Sequence, residues 1–291
     1  MTEGLVVSVS GSSFTVETEN ETLTCSCRGK FRRTGLQPLA GDKVVIEKSE
    51  GSYVISSIAP RKNDLVRPPA ANITSLLIVV SAAPPQTPEL FIDSLTALAE
   101  YKGIRPIICI NKTDIDSGEK LRSLYSPLYE VFPISSVTKD GIEPLKSALG
   151  DGICLLTGNS GVGKSSLLNA LDLGAEADVG ELSEKIGRGR QTTRKIRLHK
   201  LPSGGFLADT PGYSAFDVIE MGFSDYETLP HTFPEFRKHL PNCRWKDCGH
   251  ATDEGCAVTA AISSGEIAPS RHASYMRLRE AMLEAERNRY K

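Results

Sequence analysis

Apolar and polar residues alternate through most of the first 66 positions. Leu5–Val9, Phe14–Thr18, Thr22–Cys27, Lys43–Glu47 and Tyr53–Ile58 are short and β-prone, and Gly, Asn and Asp punctuate them. This spacing puts one side of each segment in a core, and it predicts five strands. Five short strands in such a span suit a small barrel of the OB type. After Arg67-Pro68-Pro69 the pattern changes. Thr74–Ser81 is a continuous apolar run, as in a parallel strand buried on both faces. Pro88–Lys102 has helical spacing, with Leu90, Phe91, Leu95 and Leu98 on one face. Pro106–Ile110, Tyr129–Pro133, Gly152–Thr157 and Gly205–Ala208 read as further strands, and Lys164–Leu171 as a helix. Such alternation predicts a three-layer α/β domain with a mostly parallel sheet. From about Gly222 the strand pattern ends and Pro, Cys, His and polar residues dominate, before a charged helix over Pro269–Tyr290. The expected organisation is therefore a barrel over 1–66, an α/β domain over 67–222 and a small module over 223–291. The last has few large apolar groups and needs a staple, for which a metal is one candidate.

Length and composition narrow the class. The chain has 291 residues, 40% hydrophobic and 24% charged, which fits two or three globular cores. No apolar run reaches the roughly 18 residues that span a bilayer, and MTEGLVVSVSGSSF is not a signal peptide. The expectation is a cytoplasmic protein with no membrane partner. The net charge of −2 argues neither for nor against nucleic acid. Its distribution says more: Lys185 to Lys200 holds seven Lys or Arg and no acid. That run can meet phosphate, or it can be a solvated loop. Arg28, Lys30, Arg32 and Arg33 pose the same choice. The seven cysteines are an odd number in a chain without export signals, so a disulfide framework is disfavoured.

One stretch carries specific chemistry. Gly158-Asn159-Ser160-Gly161-Val162-Gly163-Lys164-Ser165 fits G-x-x-x-x-G-K-[ST] between a predicted strand and a predicted helix, and Ser166 continues it. Glycines let the backbone wrap closely, so that N–H groups point at phosphate oxygens. The start of the helix adds its positive dipole end. Lys164 reaches the β- and γ-phosphates, and Ser165 supplies a hydroxyl to Mg²⁺.

The base is read elsewhere. Asn111-Lys112-Thr113-Asp114 follows a predicted strand and matches N-K-x-D. Asp114 can accept from guanine N1–H and the 2-amino group together, donors that adenine lacks in that geometry. Asn111 would bridge the base and the phosphate loop, and the stem of Lys112 would cover the ring. Ser135-Ser136 resembles the short S-A element whose backbone touches the guanine carbonyl. Downstream, Asp209-Thr210-Pro211-Gly212 matches D-x-x-G, with Asp209 towards Mg²⁺ and Gly212 N–H sensing the γ-phosphate. Between lies Gln191-Thr192-Thr193-Arg194, the place of a first switch. Thr193 is the preferred Mg²⁺ ligand and Thr192 the alternative. Ordinary GTPases put the phosphate loop first; here the base elements precede it, a circular permutation that new surface termini allow.

Lys164, Thr193, Asp209, Gly212 and Gln191 are the candidate catalytic residues. Tyr213 stands where a water-positioning Gln often follows D-x-x-G, so the lone chain should hydrolyse GTP slowly. Gln191 is a candidate for that task or an exposed loop residue. Arg188, Arg190 and Arg194 suit transition-state charge or RNA phosphate equally. Cys243-x4-Cys248-x-His250-x5-Cys256 offers four ligands, a recognised structural zinc set with a closed coordination sphere. Cys25-x-Cys27 lacks a second pair and reads as packing, as His231 and His239 read as ordinary residues.

Taken together, the chain resembles the ribosome-small-subunit-dependent GTPases, the RsgA family, over nearly its whole length. Lys164, Ser165, Asn111, Lys112, Asp114, Asp209 and Gly212 match that family's nucleotide motifs. The resemblance implies a bacterial cytoplasmic GTPase, using GTP with Mg²⁺ and one structural zinc, that binds the small ribosomal subunit late in its maturation. It also implies stimulation of hydrolysis by the subunit, and contact of barrel and zinc module with ribosomal RNA. The family commonly has His where Gln191 stands, a departure that bears on catalysis. The expected form is a monomer, and two readings follow: a checkpoint that docks with GTP and leaves after hydrolysis, or a binding module stabilised by nucleotide. A GTP-dependent ligase or kinase would need a second substrate site, and no motif for one is visible.

Overall fold

The computed structural model describes residues 2–28, 31, 36–49, 51–173, 196–209, 217–223 and 225–289, with only the backbone at 209, 217 and 289. Chain order gives β1 (Thr2–Ser10), β2 (Ser13–Glu17), β3 (Thr22–Cys27), β4 (Lys43–Ser49), β5 (Ser52–Ile58), β6 (Asp64–Leu65), β7 (Ala70–Ala71) and β8 (Ser75–Ser81). Then come α1 (Glu89–Lys102), β9 (Arg105–Asn111), α2 (Glu119–Tyr125), β10 (Glu130–Pro133), α3 (Ile142–Leu149), β11 (Ile153–Thr157) and α4 (Lys164–Ala170). The last elements are β12 (His199–Lys200), β13 (Phe206–Asp209), α5 (Asp217–Glu220), α6 (Ala257–Ser263) and α7 (Pro269–Arg289).

The first five strands close a barrel in the order β1-β2-β3-β5-β4. Alternation explains its core: Phe14 and Val16, Leu23 and Cys25, and Val44 and Ile46 point inwards with Val6, Phe31 and Ile55. Cys25 is thus a packing residue, as expected, and burial pushes its thiol pKa up. The segment after the barrel is tied back to it. Arg61 grips the buried Asp42 with Nε–Oδ1 at 2.8 Å and Nη2–Oδ2 at 2.9 Å, and Asn72 donates to the Gly41 carbonyl. Gly41 has φ +94°, and a Cβ there would lie 2.0 Å from the Ala71 carbonyl oxygen, so no other residue fits this approach.

The second sheet has the order β10-β9-β8-β11-β13-β12. β9 and β10 run parallel, as do β11 and β13, while β12 is antiparallel to β13. All seven residues of β8 are buried, the outcome expected of an apolar run. By contacts the chain forms two compact units. One comprises Met1–Leu76, Ile142–Thr157 and Lys164–Pro211; the other comprises Leu77–Gly141, Gly158–Gly163 and Gly212–Lys291.

In the second unit α1 departs from a simple amphipathic helix. Phe91 to Ala99 are buried without a break, including Asp93, Ser94 and Thr96. Helix α7 turns Arg271, Ser274, Tyr275, Leu278 and Met282 inwards, a stripe at helical spacing. Arg271 joins the two. Its guanidinium meets Asp93 Oδ1 at 2.6 Å and Glu235 Oε1 at 2.7 Å, and it lies 4.7 Å from the centre of the Phe233 ring. Asp93 also accepts from Tyr125 Oη at 2.7 Å. Burial opposes the charge on Arg271, and Asp93 and Glu235 overcome it, so its pKa is raised. The predicted charged helix is therefore held by an ion pair in the interior.

Candidate functional site

In open α/β sheets ligands bind beyond the carboxyl ends of the strands. β9 ends at Asn111, β11 at Thr157 and β13 at Asp209, and β11 pairs Leu156 with Asp209. The loops that follow carry the base and phosphate motifs.

Asn111 organises them. It is buried, with its side-chain Oδ1 accepting from Lys112 N at 2.8 Å, Ser136 N at 3.1 Å and Ser136 Oγ at 3.0 Å. Its Nδ2 donates to the Val162 carbonyl at 3.0 Å, inside the phosphate loop. One amide thus joins the N-K-x-D loop, the Ser135-Ser136 loop and the phosphate loop. Lys112 takes φ +67°, a conformation disfavoured for a side-chain-bearing residue, and its Nζ donates to the Pro84 carbonyl at 3.2 Å. Asp114 is exposed. Ser135 is buried, and its hydroxyl accepts from Val137 N and Thr138 N, which shapes its loop.

The phosphate loop needs its glycines for close approach. A Cβ at Gly158 would lie 2.4 Å from the Val79 carbonyl oxygen, and one at Gly163 would lie 2.4 Å from Asn111 Nδ2. Val162 is buried, Asn159 is half-buried, and Ser160 and Gly161 are exposed. Lys164, half-buried, and the exposed Ser165 and Ser166 open α4 directly after the loop. Gln191, Thr192, Thr193, Gly212 and Tyr213 lie outside the described residues, as do Arg188, Arg190 and Arg194.

A second constellation lies in the other predicted place. The donor atoms of Cys243, Cys248, His250 and Cys256 fall within 4.8 Å of one another. His250 Nδ1 is 3.6 Å from both Cys243 Sγ and Cys256 Sγ. A tetrahedral zinc with arms of roughly 2.3 Å to sulfur and 2.0–2.1 Å to nitrogen spans N···S edges of about 3.6 Å, so the donors fit that ion. Burial lowers the His250 pKa and keeps the imidazole neutral, as a ligand must be. The Cys248 thiol is pushed up to about 12 by burial, with Cys256 and Cys243 adding to it. A divalent cation held by Cys243, Cys248, His250 and Cys256 would remove that cost by ligating the thiolates. The loop is braced by α7: His272 Nε2 donates to the His250 carbonyl at 2.6 Å and Tyr275 Oη to that of Gly249 at 3.2 Å. These braces went unseen in the sequence, because nothing marks His272 or Tyr275 apart from other helix residues. His231 and His239 are not among the four clustered donors.

A profile of the RsgA GTPase family matches residues 58–219, and one of the RsgA N-terminal domain matches residues 3–53. The chain is 38% identical to the small ribosomal subunit biogenesis GTPase RsgA of Caldanaerobacter subterraneus subsp. tengcongensis, covering 99% of this chain and 98% of that one. It is 39% identical to the protein of that name from Thermotoga maritima, over 94% and 95%. Among solved structures, YjeQ from Thermotoga maritima superposes with a TM-score of 0.81 at 35% identity, over 97% and 98% of the two chains. YloQ, described as a circularly permuted GTPase, does so with a TM-score of 0.79 at 30% identity, over 98% and 96%.

Proposed function

The chain belongs to the RsgA GTPase family, and from that membership we propose that it binds the small ribosomal subunit and couples GTP hydrolysis to late maturation of that subunit, leaving once GTP is spent. Its activity is hydrolysis of GTP to GDP and phosphate. The relatives named for small-subunit biogenesis support the partner.

The observation that carries the reading is the Asn111 amide, which links both base loops to the phosphate loop. In this reading Asp114 pairs with the guanine edge, Lys112 covers the ring, and Ser135-Ser136 supplies backbone near the guanine carbonyl. N–H groups of 158–163 and the Lys164 ammonium hold the phosphates. Ser165 and Thr193 are the hydroxyl ligands for Mg²⁺, which when bound offsets phosphate charge, with Asp209 behind it. Gly212 senses the γ-phosphate. Gln191 is the candidate for orienting water, a task for which Tyr213 lacks the amide. The division 1–66, 67–222 and 223–291 is kept as a division of labour: RNA docking, catalysis, and an RNA-contacting module stapled by one structural zinc on Cys243, Cys248, His250 and Cys256. A cytoplasmic monomer is the form proposed; among the described residues no helix is long and apolar enough to cross a membrane.

The test is GTP turnover with and without purified small subunits, with Lys164→Ala as the blank. Strong stimulation by small but not large subunits is the expected result. Intact nucleotide binding without stimulation would instead favour a binding module in which turnover is incidental, the alternative that Tyr213 keeps open.

A further inference from the structure

The barrel leaves part of one strand edge for a segment far along the chain. The first half of β1, Thr2–Leu5, pairs with β4, and the second, from Leu5 on, pairs with β2. The register slips between Val6 and Ser8, a bulge that frees the Val7 carbonyl. Leu198 N–H donates to that carbonyl at 2.8 Å, and Ser8 forms an antiparallel bridge with Arg197. Ile196 and Leu198 are buried there, while Arg197 and Lys200 are exposed. Lys200 forms an ion pair with Glu17 of β2. A cavity of about 410 Å³ lies between, lined by Ser8, Thr15 and Thr22 from the barrel and by Arg197, His199 and Lys200 from the added segment.

The chemistry of these walls points to one class of ligand. Hydroxyls face a guanidinium and an ammonium, and Glu17 is the one acid in the lining. Hydroxyl, Arg and Lys are the groups that meet phosphate and sugar oxygens. The lining holds no Phe, Tyr or Trp, and its one ring is the imidazole of His199, so the cleft suits phosphate and sugar better than a run of stacked bases. Thr15 and Thr22 also lie on the second and third strands, the face that OB barrels present to oligonucleotides. The covalent chain adds a consequence. Thr193 stands four residues before Arg197, a reach of at most about 14 Å.

We propose that the cleft between β1–β3 and Arg197–Lys200 binds the phosphodiester backbone of RNA, and that RNA seated there fixes the strand that leaves the first switch. The inference rests on the reading of the chain as a GTPase that docks on ribosomal RNA, and it names where docking reaches the switch. RNA closes over Arg197 only if that residue stays on the β1 edge, so binding and pairing of the edge support each other.

The experiment measures binding of a short fluorescent oligouridylate to the full-length GDP-loaded protein across a salt series. Arg197→Glu should weaken binding about tenfold at low salt and lower the salt slope by about one, while Arg197→Lys retains most of it. Glu17→Gln removes the acid and should tighten binding several-fold; this variant decides the matter if Arg197→Glu disturbs the fold by circular dichroism. Wild-type affinity and slope in Glu17→Gln, or in a folded Arg197→Glu, would overturn the site. At saturating small subunits, Arg197→Glu should lower the stimulated kcat with the KM for GTP unchanged. A normal kcat reached at higher subunit concentration would overturn the coupling to the switch. Wild-type protein that binds the oligonucleotide but is never stimulated would sink the proposed function and leave the cleft standing. Stimulated protein that binds no oligonucleotide would do the reverse.

Discussion

Asn111 shows how much of the proposed nucleotide site hangs on one side chain. Asn111→Ala would strip acceptors from Lys112 N and Ser136 N and a donor from the Val162 carbonyl. Leaving such buried groups unpaired costs on the order of 1–3 kcal/mol each at most. The expected outcome is a lower urea midpoint together with weaker GTP binding, read by fluorescence titration. Asp114→Asn differs, because Asp114 is exposed and its removal leaves no buried group alone. GTP affinity should fall there with the unfolding midpoint unchanged, and unchanged affinity would refute the base-recognition role. Both residues were legible in the sequence as a motif. The hydroxyl of Ser136 was not: it replaces the usual Ala and adds a bond to Asn111, 25 residues away on another loop. Local spacing carries no information about a partner at that distance.

Helices and loops were legible in proportion to how local their causes are. The phosphate-loop helix, the buried strands and the four clustered Cys and His donors are written in contiguous patterns. Helix α1 was legible only as a helix. Asp93, Ser94 and Thr96 suggest a wet side, yet all three are buried: Asp93 meets Arg271, and the two hydroxyls donate to carbonyls of their own helix. Arg271→Met leaves Asp93 and Glu235 without their cation, and stability should drop by about 3–5 kcal/mol in urea unfolding. A loss under about 1 kcal/mol would mean that the pair is not held as described. The metal loop has a pH signature. Burial lowers His250, so the unfolded chain takes up a proton in the ordinary histidine range that the folded loop refuses. Stability of the loop is therefore full above about pH 6.5 and declines as pH falls from there towards the lowered folded value. Protons also compete with the ion for its ligands. Zinc release, followed with a chromophoric chelator, should rise as pH falls through that range.

At the scale of the whole chain, each compact unit is assembled from three separate stretches. Sequence punctuation at Arg67-Pro68-Pro69 and near Gly222 marks changes of pattern, but contacts across those points are set by residues far apart. Removal of residues 223–291 takes away Arg271, Phe233 and Tyr275 and uncovers α1. Such a truncated chain should be poorly soluble and should lose GTP binding, as checked by size exclusion and nucleotide titration; a well-behaved truncated GTPase would show that α1 folds without its cover. The same arrangement sets a timetable for biosynthesis. Asp93 and Arg271 are separated by 178 positions. At about 5–20 residues per second, the carboxylate waits roughly 10–40 s on the translating ribosome before its cation is made. Through that interval α1 is a nascent helix with an acid on a side destined for the interior, held open to water or to a chaperone. The emergence of the last helix is thus the event that allows this lobe to close.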